Sequence, residues 1–161
     1  MACRAALQSR GRFRRRRLKA CSNRIVDIFS RSKRSAIMAQ VKSKNTAPEK
    51  AVRSLLHGLG FRFRLHRTDL PGTPDITLPG RRAVVFVHGC FWHQHPGCRH
   101  AARPASNREY WDVKLDKNVT RDATNIRLLR KIGWKVLIVW ECQATEKKLK
   151  LLAARLIKTL R

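Results

Sequence analysis

The chain has 161 residues and a formal charge of +27, from 37 Lys and Arg against 10 Asp and Glu, with an isoelectric point near 11.6. That length suits one domain with a real hydrophobic core. Such charge calls for a polyanionic partner, nucleic acid first and an acidic membrane surface second, and no apolar run approaches the roughly 20 residues of a membrane span.

In chain order, residues 1–28 hold Arg12, Arg14, Arg15, Arg16, Arg17 and Lys19 with hardly an apolar partner, and read as a disordered basic arm or as sequence upstream of the true start. No apolar segment of a secretory signal follows these arginines, so the expectation is a soluble, cytoplasmic protein. Residues 30–44 read as a short helix with Ile37, Met38 and Val41 on one side. Thr46-Ala47-Pro48-Glu49 is a capping box with proline near the helix start. The helix it opens spaces Val52, Leu55, Leu56 and Leu59 along one face and stops at Gly60.

Residues 61–66 alternate Phe61, Phe63 and Leu65 against Arg62, Arg64 and His66, the pattern of a half-exposed strand. Residues 70–74 form a turn, residues 75–78 begin the next strand, and Pro79-Gly80 turns the chain back. Ala83, Val84, Val85, Phe86 and Val87 make an unbroken apolar run suited to a strand buried on both faces. A basic loop follows through Arg108. Residues 118–132 read as a helix with Val119, Ala123, Ile126 and Leu129 inward, stopped by Gly133. WKVLIVW, residues 134–140, is another core strand, and residues 145–161 form an amphipathic basic helix with Leu149, Leu152, Leu156 and Ile157 on one face. The order is α, α, β, β, β, α, β, α: an α/β fold with a small mixed sheet flanked by helices.

The chemistry gathers at the end of the central strand, in AVVFVHGCFWHQHPGC. Strand ends in α/β sheets are where sites are usually built. Asp75, across the hairpin from this segment, is placed as a Mg²⁺ ligand beside a phosphate, the alternative being a turn aspartate that caps its own backbone. Cys90, His95, Cys98 and Cys142 make a Cys₃His set suited to a tetrahedral structural Zn²⁺, against a buried Cys142 with free surface thiols. His88 and His93 are then left for proton transfer. Adjacent Phe91 and Trp92 cannot share one buried face, so they read as wedges or stacking surfaces for bases, with Trp111 beside them in the loop. The competing role is closing the sheet edge. Asp122 falls on or at the margin of its helix's apolar stripe and requires a partner such as a histidine or hydrated metal. Glu49 is explained by the capping box alone, and Lys114 and Asn118 are phosphate contacts or solvated surface.

From residue 29 to residue 142 the sequence closely resembles the very short patch repair (Vsr) DNA mismatch endonucleases. The resemblance rests on SKNTAPEKAVRSLL, LPGTPDI, VVFVHGCFWHQHPGC, EYWDVKLDKNVTRD and GWKVLIVWEC. It implies a restriction-endonuclease-like fold, related to the PD-(D/E)XK nucleases, with a structural zinc, in a domain spanning residues 29–161. It also implies Mg²⁺-dependent nicking of double-stranded DNA 5′ to the T of a T·G mismatch left by deaminated 5-methylcytosine. By position, Asp75 and the backbone carbonyl of Val87 bind Mg²⁺. His93 is the base for water, His88 and Asp122 assist through hydrated metal and phosphate, and Glu49 lies near the site. Phe91, Trp92 and Trp111 match the intercalating aromatics, and Cys90, His95, Cys98 and Cys142 the zinc set.

The wider nuclease fold carries an acidic residue and a lysine on the second strand, where Val87 and His88 stand here. Pro96-Gly97 sets the zinc-loop length. The resemblance further implies a bacterial monomer, nucleoid-associated when bound, with a MutL-type mismatch-repair protein as a partner. Two other readings are a non-catalytic zinc-stabilised DNA-binding module and a nuclease of the same fold with a different DNA target.

Overall fold

In this computed structural model the described residues are 32–33, 36, 39–40 and 44–160. The expected basic arm lies outside them. So does most of the expected helix over residues 30–44, of which residues 32, 33, 36 and 39 are helical. Three helices and four strands follow, connected by turns and short 3₁₀ segments: α1 (Ala47–Gly58), β1 (Arg64–Leu65), β2 (Ile76–Leu78), β3 (Ala83–His88), α2 (Arg108–Lys131), β4 (Lys135–Trp140) and α3 (Leu149–Leu160). No helix among the described residues is long and apolar enough to cross a membrane.

The strands form one mixed sheet in the order β1-β2-β3-β4. β1 to β3 pair antiparallel, whereas β3 and β4 run parallel from Ala83 opposite Lys135 to His88 opposite Trp140. Alternation along β3 separates two cores. Ala83 and Val85 pack with Ile76, Leu78, Leu137 and Val139 against Val52 and Leu56 of α1 and Leu152, Leu156 and Leu160 of α3. Val84 and Phe86 face the other way, onto Leu129 of α2 and Leu70. The result is helix, sheet, helix, with β3 buried on both sides as its sequence required.

α1 starts as its sequence dictates: Thr46 accepts from the Glu49 N–H and the Glu49 side chain returns to the Thr46 N–H. Other boundaries differ from expectation. The alternating stretch over residues 61–66 pairs only at Arg64 and Leu65, and both are exposed. It is an edge strand, and His66 at φ +47° ends the extended backbone. The long helix begins at Arg108, ten residues before the expected start, so Trp111 is helical rather than in a loop. Its inward stripe runs through Trp111, Leu115, Asn118, Asp122, Ile126 and Leu129, while Val119 is 41% exposed and Ala123 also faces out. α3 begins at Leu149 because residues 146–148 form a 3₁₀ turn. β2 begins one residue after Asp75, and Cys142 lies in the turn after β4.

Two glycines of one helix end should respond oppositely to alanine. Gly58 is helical with nothing within 4 Å of an added Cβ, whereas Gly60 sits at φ +81°. Gly58→Ala should raise the unfolding free energy by about 0.5 kcal/mol, and Gly60→Ala should lower it by about 1 kcal/mol. Urea unfolding of the two variants checks this, and equal shifts would contradict the helix end described.

Candidate active site

The period of β3 decides what its end presents. Val84 and Phe86 face α2, so His88, two residues on, emerges on the α2 side and is 6% exposed. Val87 points to the opposite face and packs against the α1 and α3 core. Because β2 is antiparallel to β3, with Ile76 opposite Val85, the start of β2 lies beside the end of β3. Asp75 is there, and its Oδ2 accepts the Val87 N–H at 2.7 Å. Burial pushes the Asp75 carboxyl above the usual range, and the Val87 N–H opposes this. The Glu49 charge pushes it further up, while His66 and Arg53 draw it down.

Beyond β3 the chain turns, the His93 N–H donating to the Gly89 carbonyl at 3.1 Å. The turn lays the His93 ring on His88, with centroids 3.9 Å apart and planes 8° from parallel. His93 Nδ1 bonds Asp122 Oδ2 on α2. A carboxylate at its ordinary charge only accepts, so Nδ1 carries the proton of this bond, and in the neutral ring Nε2 is the nitrogen left with a lone pair. Burial disfavours charge on Asp122, but the His93 bond and the charges of His93, His88 and Arg121 outweigh it and hold the carboxyl below its usual range. Burial first, and the His93 charge second, push His88 down to about 4, so it is neutral at pH 7. The set can therefore take a proton on His93 and stabilise it from Asp122.

Glu49, Asp75, His88, His93 and Asp122 all line one open cleft of about 810 Å³. The sequence placed all five as candidates, and the fold brings all five together. Glu49 retains its capping role: Oε1 accepts from Thr46 Oγ1 at 2.8 Å and Oε2 from Arg53 Nη2 at 2.7 Å. Two charged cleft residues were not anticipated, Arg121 and Glu141. Glu141 follows the last residue of β4, and the parallel pairing that puts it at the site is not written in the local sequence.

Beside the cleft, Phe91, Trp92 and Trp111 form a three-ring cluster, with centroids 5.1 Å (Phe91–Trp92), 5.4 Å (Phe91–Trp111) and 6.0 Å (Trp92–Trp111) apart. Trp111 is buried and the other two are half-buried. Lys114 Nζ lies 5.6 Å from the Trp92 ring and 5.7 Å from Trp111, and Asn118 Nδ2 donates to the Trp92 carbonyl at 3.2 Å. In the free protein, then, Lys114 and Asn118 hold the aromatic loop to α2.

Cys90, His95, Cys98 and Cys142 offer donor atoms all within 4.8 Å of one another, a set that can hold a metal ion. His95 Nδ1 is 3.6 Å from Cys90 Sγ and 3.4 Å from Cys142 Sγ, close to the edge of about 3.6 Å that tetrahedral bonds to nitrogen and sulfur span. The Pro96-Gly97 turn, with Gly97 at φ +68°, brings Cys98 back to the set, and the Cys98 N–H donates to the His95 carbonyl at 3.2 Å. Burial pushes the Cys90 thiol up to about 12, while the His100 N–H draws the Cys98 thiol down. The Trp140 ring stacks on His95 at 4.2 Å and meets His88 edge-on at 5.4 Å. Trp140 therefore does more than close a core strand: it lies between the Cys₃His set and the cleft histidines.

The model of the family described as DNA mismatch endonuclease Vsr matches residues 26–99. The Type II nicking enzyme V.XorIIP of Xanthomonas oryzae pv. oryzae is 54% identical over 122 residues, which cover 76% of this chain and 89% of that protein. DNA mismatch endonuclease Vsr of Escherichia coli is 44% identical over 118 residues, 73% of this chain and 75% of that protein. Among solved structures, the Homing Endonuclease I-Bth0305I Catalytic Domain matches with a TM-score of 0.49 and 17% identity, covering 71% of this chain and 94% of that one.

The neutral His88 makes a prediction in pH. Its folded value of about 4 lies below the ordinary 6.5, so between those values the unfolded chain binds a proton that the folded chain refuses. Stability from this source is full above pH 6.5 and is lost as the pH falls toward 4. Between pH 7 and pH 5 the wild type should lose about 2 kcal/mol more stability than His88→Gln, by denaturant unfolding at each pH. Equal losses would mean that His88 is not held neutral.

Proposed function

The chain belongs to the Vsr family of DNA mismatch endonucleases, and from that premise we propose that it nicks one strand of duplex DNA 5′ to the T of a T·G mismatch. The lesion is the one left by deaminated 5-methylcytosine, and the nick initiates very short patch repair. The observation that carries the reading is the His93–Asp122 pair in the cleft that also holds Asp75.

His93 Nε2 accepts the proton of the attacking water, and Asp122 stabilises the imidazolium that results. The water oxygen bonds to phosphorus as the bond from phosphorus to the leaving ester oxygen breaks, and that oxygen takes a proton from solvent to depart as a hydroxyl. Neutral His88, stacked on His93, adds no charge to oppose that protonation and offers its N–H to the phosphate. Asp75 and the Val87 carbonyl suit a catalytic Mg²⁺, because burial and the Glu49 charge outweigh the Val87 N–H, His66 and Arg53 at the Asp75 carboxyl, which leaves it short of positive charge. Bound there, the ion supplies Lewis-acid stabilisation of the phosphoryl oxygens. The Cys₃His set suits a structural Zn²⁺ by donor type and spacing.

Phe91, Trp92 and Trp111 act as the wedge, since a T·G pair is cheaper to unstack than a matched one. Lys114 and Asn118 become DNA contacts when the wedge engages. Eight residues of α2 separate Lys114 from Asp122, an axial rise of about 12 Å, so wedge and cut lie a few nucleotides apart at most. The domain at residues 29–161 has the restriction-endonuclease-like fold, with residues 1–28 a basic arm. On this reading the protein is a cytoplasmic monomer, nucleoid-associated when bound to DNA, and recruited by a MutL-type protein.

Asp75→Ala should lower nicking of a T·G duplex by about 10³ or more while binding to that duplex stays within about threefold. Undiminished cutting by the variant would remove Asp75 from the site. The purified chain should carry one zinc per molecule, and Cys142→Ser should lose it together with several kcal/mol of stability, read by metal analysis and melting. A metal-free wild type with an unchanged melting temperature would contradict the zinc role.

A further inference from the structure

The cleft has an unusual charge balance for a chain this basic. Of the 37 lysines and arginines, only Arg121 lines it among the described residues, against the carboxylates of Glu49, Asp75, Asp122 and Glu141. A DNA phosphate entering this cleft approaches acids, so a fixed cation must meet it.

Arg121 is available to do so, held only by a loose ion pair with Asp122. Its side chain is 60% exposed and its Nη2 is 3.6 Å from Asp122 Oδ1, beyond hydrogen-bond reach, and Asp122 is already committed to His93. Nearby arginines are committed: Arg53 to Glu49, and Arg103 to Asp112, Asp116 and Gln94. Arg121 also sits one residue before Asp122 and seven after Lys114 on α2. Residues seven apart share a helix face, so Arg121 continues the strip that runs from the aromatic cluster to the His93 pair.

We propose that Arg121 contacts the non-bridging oxygens of the phosphodiester that is cut, positioning it against His93 and offsetting the negative charge that builds there in the transition state. The inference rests on the nicking reading above. A guanidinium presents a planar fork of donors that matches two phosphate oxygens, which a lysine cannot reproduce. Charge on those oxygens is what fixed cations stabilise in phosphoryl transfer.

The test is single-turnover nicking of an end-labelled T·G duplex at saturating enzyme with Mg²⁺. Arg121→Ala should slow the cut by about 10²- to 10³-fold, with Arg121→Lys in between, and with melting temperatures equal to the wild type because the side chain is exposed. A second arm replaces the phosphate at the cut by a methylphosphonate, which removes one non-bridging oxygen, and measures binding. Wild type should lose affinity for this duplex, and Arg121→Ala should lose little further, because the partner oxygen is already gone. Full-rate cutting by Arg121→Ala overturns the inference, as do additive losses from the variant and the methylphosphonate. A wild type that cuts neither T·G nor matched duplex sinks the nicking reading, and this inference with it.

Discussion

The parallel pairing of β3 with β4 is the constraint on which the rest depends. Six residue pairs, from Ala83 opposite Lys135 to His88 opposite Trp140, end both strands at the same edge of the sheet. Two segments far apart in sequence therefore leave the sheet together, Gly89-Cys90 after β3 and Glu141-Cys142 after β4. Their pairing closes the Cys₃His set across some fifty residues and puts Glu141 beside the Cys90 N–H at 3.4 Å. The antiparallel neighbour β2 adds the start of a strand, and with it Asp75, at the same edge. The connection between β3 and β4 is α2, which crosses the α2-facing side and delivers Asp122 to His93.

Burial and charge then set what each group can do. Burial first, and a charge on the stacked His93 second, hold His88 neutral. Asp122 is spared the same fate because it has His93 and Arg121 for company, while Asp75 has Glu49 and a desolvated setting. One carboxylate is held ready to support an imidazolium and the other is short of positive charge, which is the division of labour that the proposed hydrolysis uses. The loop from Phe91 to Arg103 is fixed from several directions. Arg103 bridges Gln94 to Asp112 and Asp116 on α2, and Gln94 returns to the Phe91 carbonyl at 2.7 Å. The aromatic cluster is thus tied to a helix rather than left on a free loop, so the proposed wedge and the proposed reaction centre keep a fixed separation.

Much of this was legible in the residues. The capping box at Thr46, the doubly buried β3 and the grouping of Cys90, His95 and Cys98 are local patterns whose physics is local. So was Asp122, a carboxylate on an apolar stripe. The start of α2 was not legible, because Asn107 at φ +51° provides no side-chain cap, and the first turns carry Asp112 and Asp116 whose partner, Arg103, precedes the helix. Its inward stripe passes through Asn118 and Asp122, so polarity hid the periodicity that apolar residues would have shown. Residues 61–66 failed for the opposite reason: the alternation was present, but β2 offers only Ile76 and Thr77 to pair with. Arg121 was invisible among 37 basic residues until the cleft showed that it alone among Lys and Arg, within the described residues, lines it.

The central claim is a mismatch-directed cut, and it is tested most directly by cleaving two end-labelled duplexes of one sequence with Mg²⁺, one carrying a T·G pair and one fully paired. The account predicts a single nick, 5′ to the mismatched T, in the first duplex and none in the second. Equal cutting of both would leave a nuclease without mismatch selection, and tight binding with no cut by metal-replete protein would leave a binding module; either result would contradict the account.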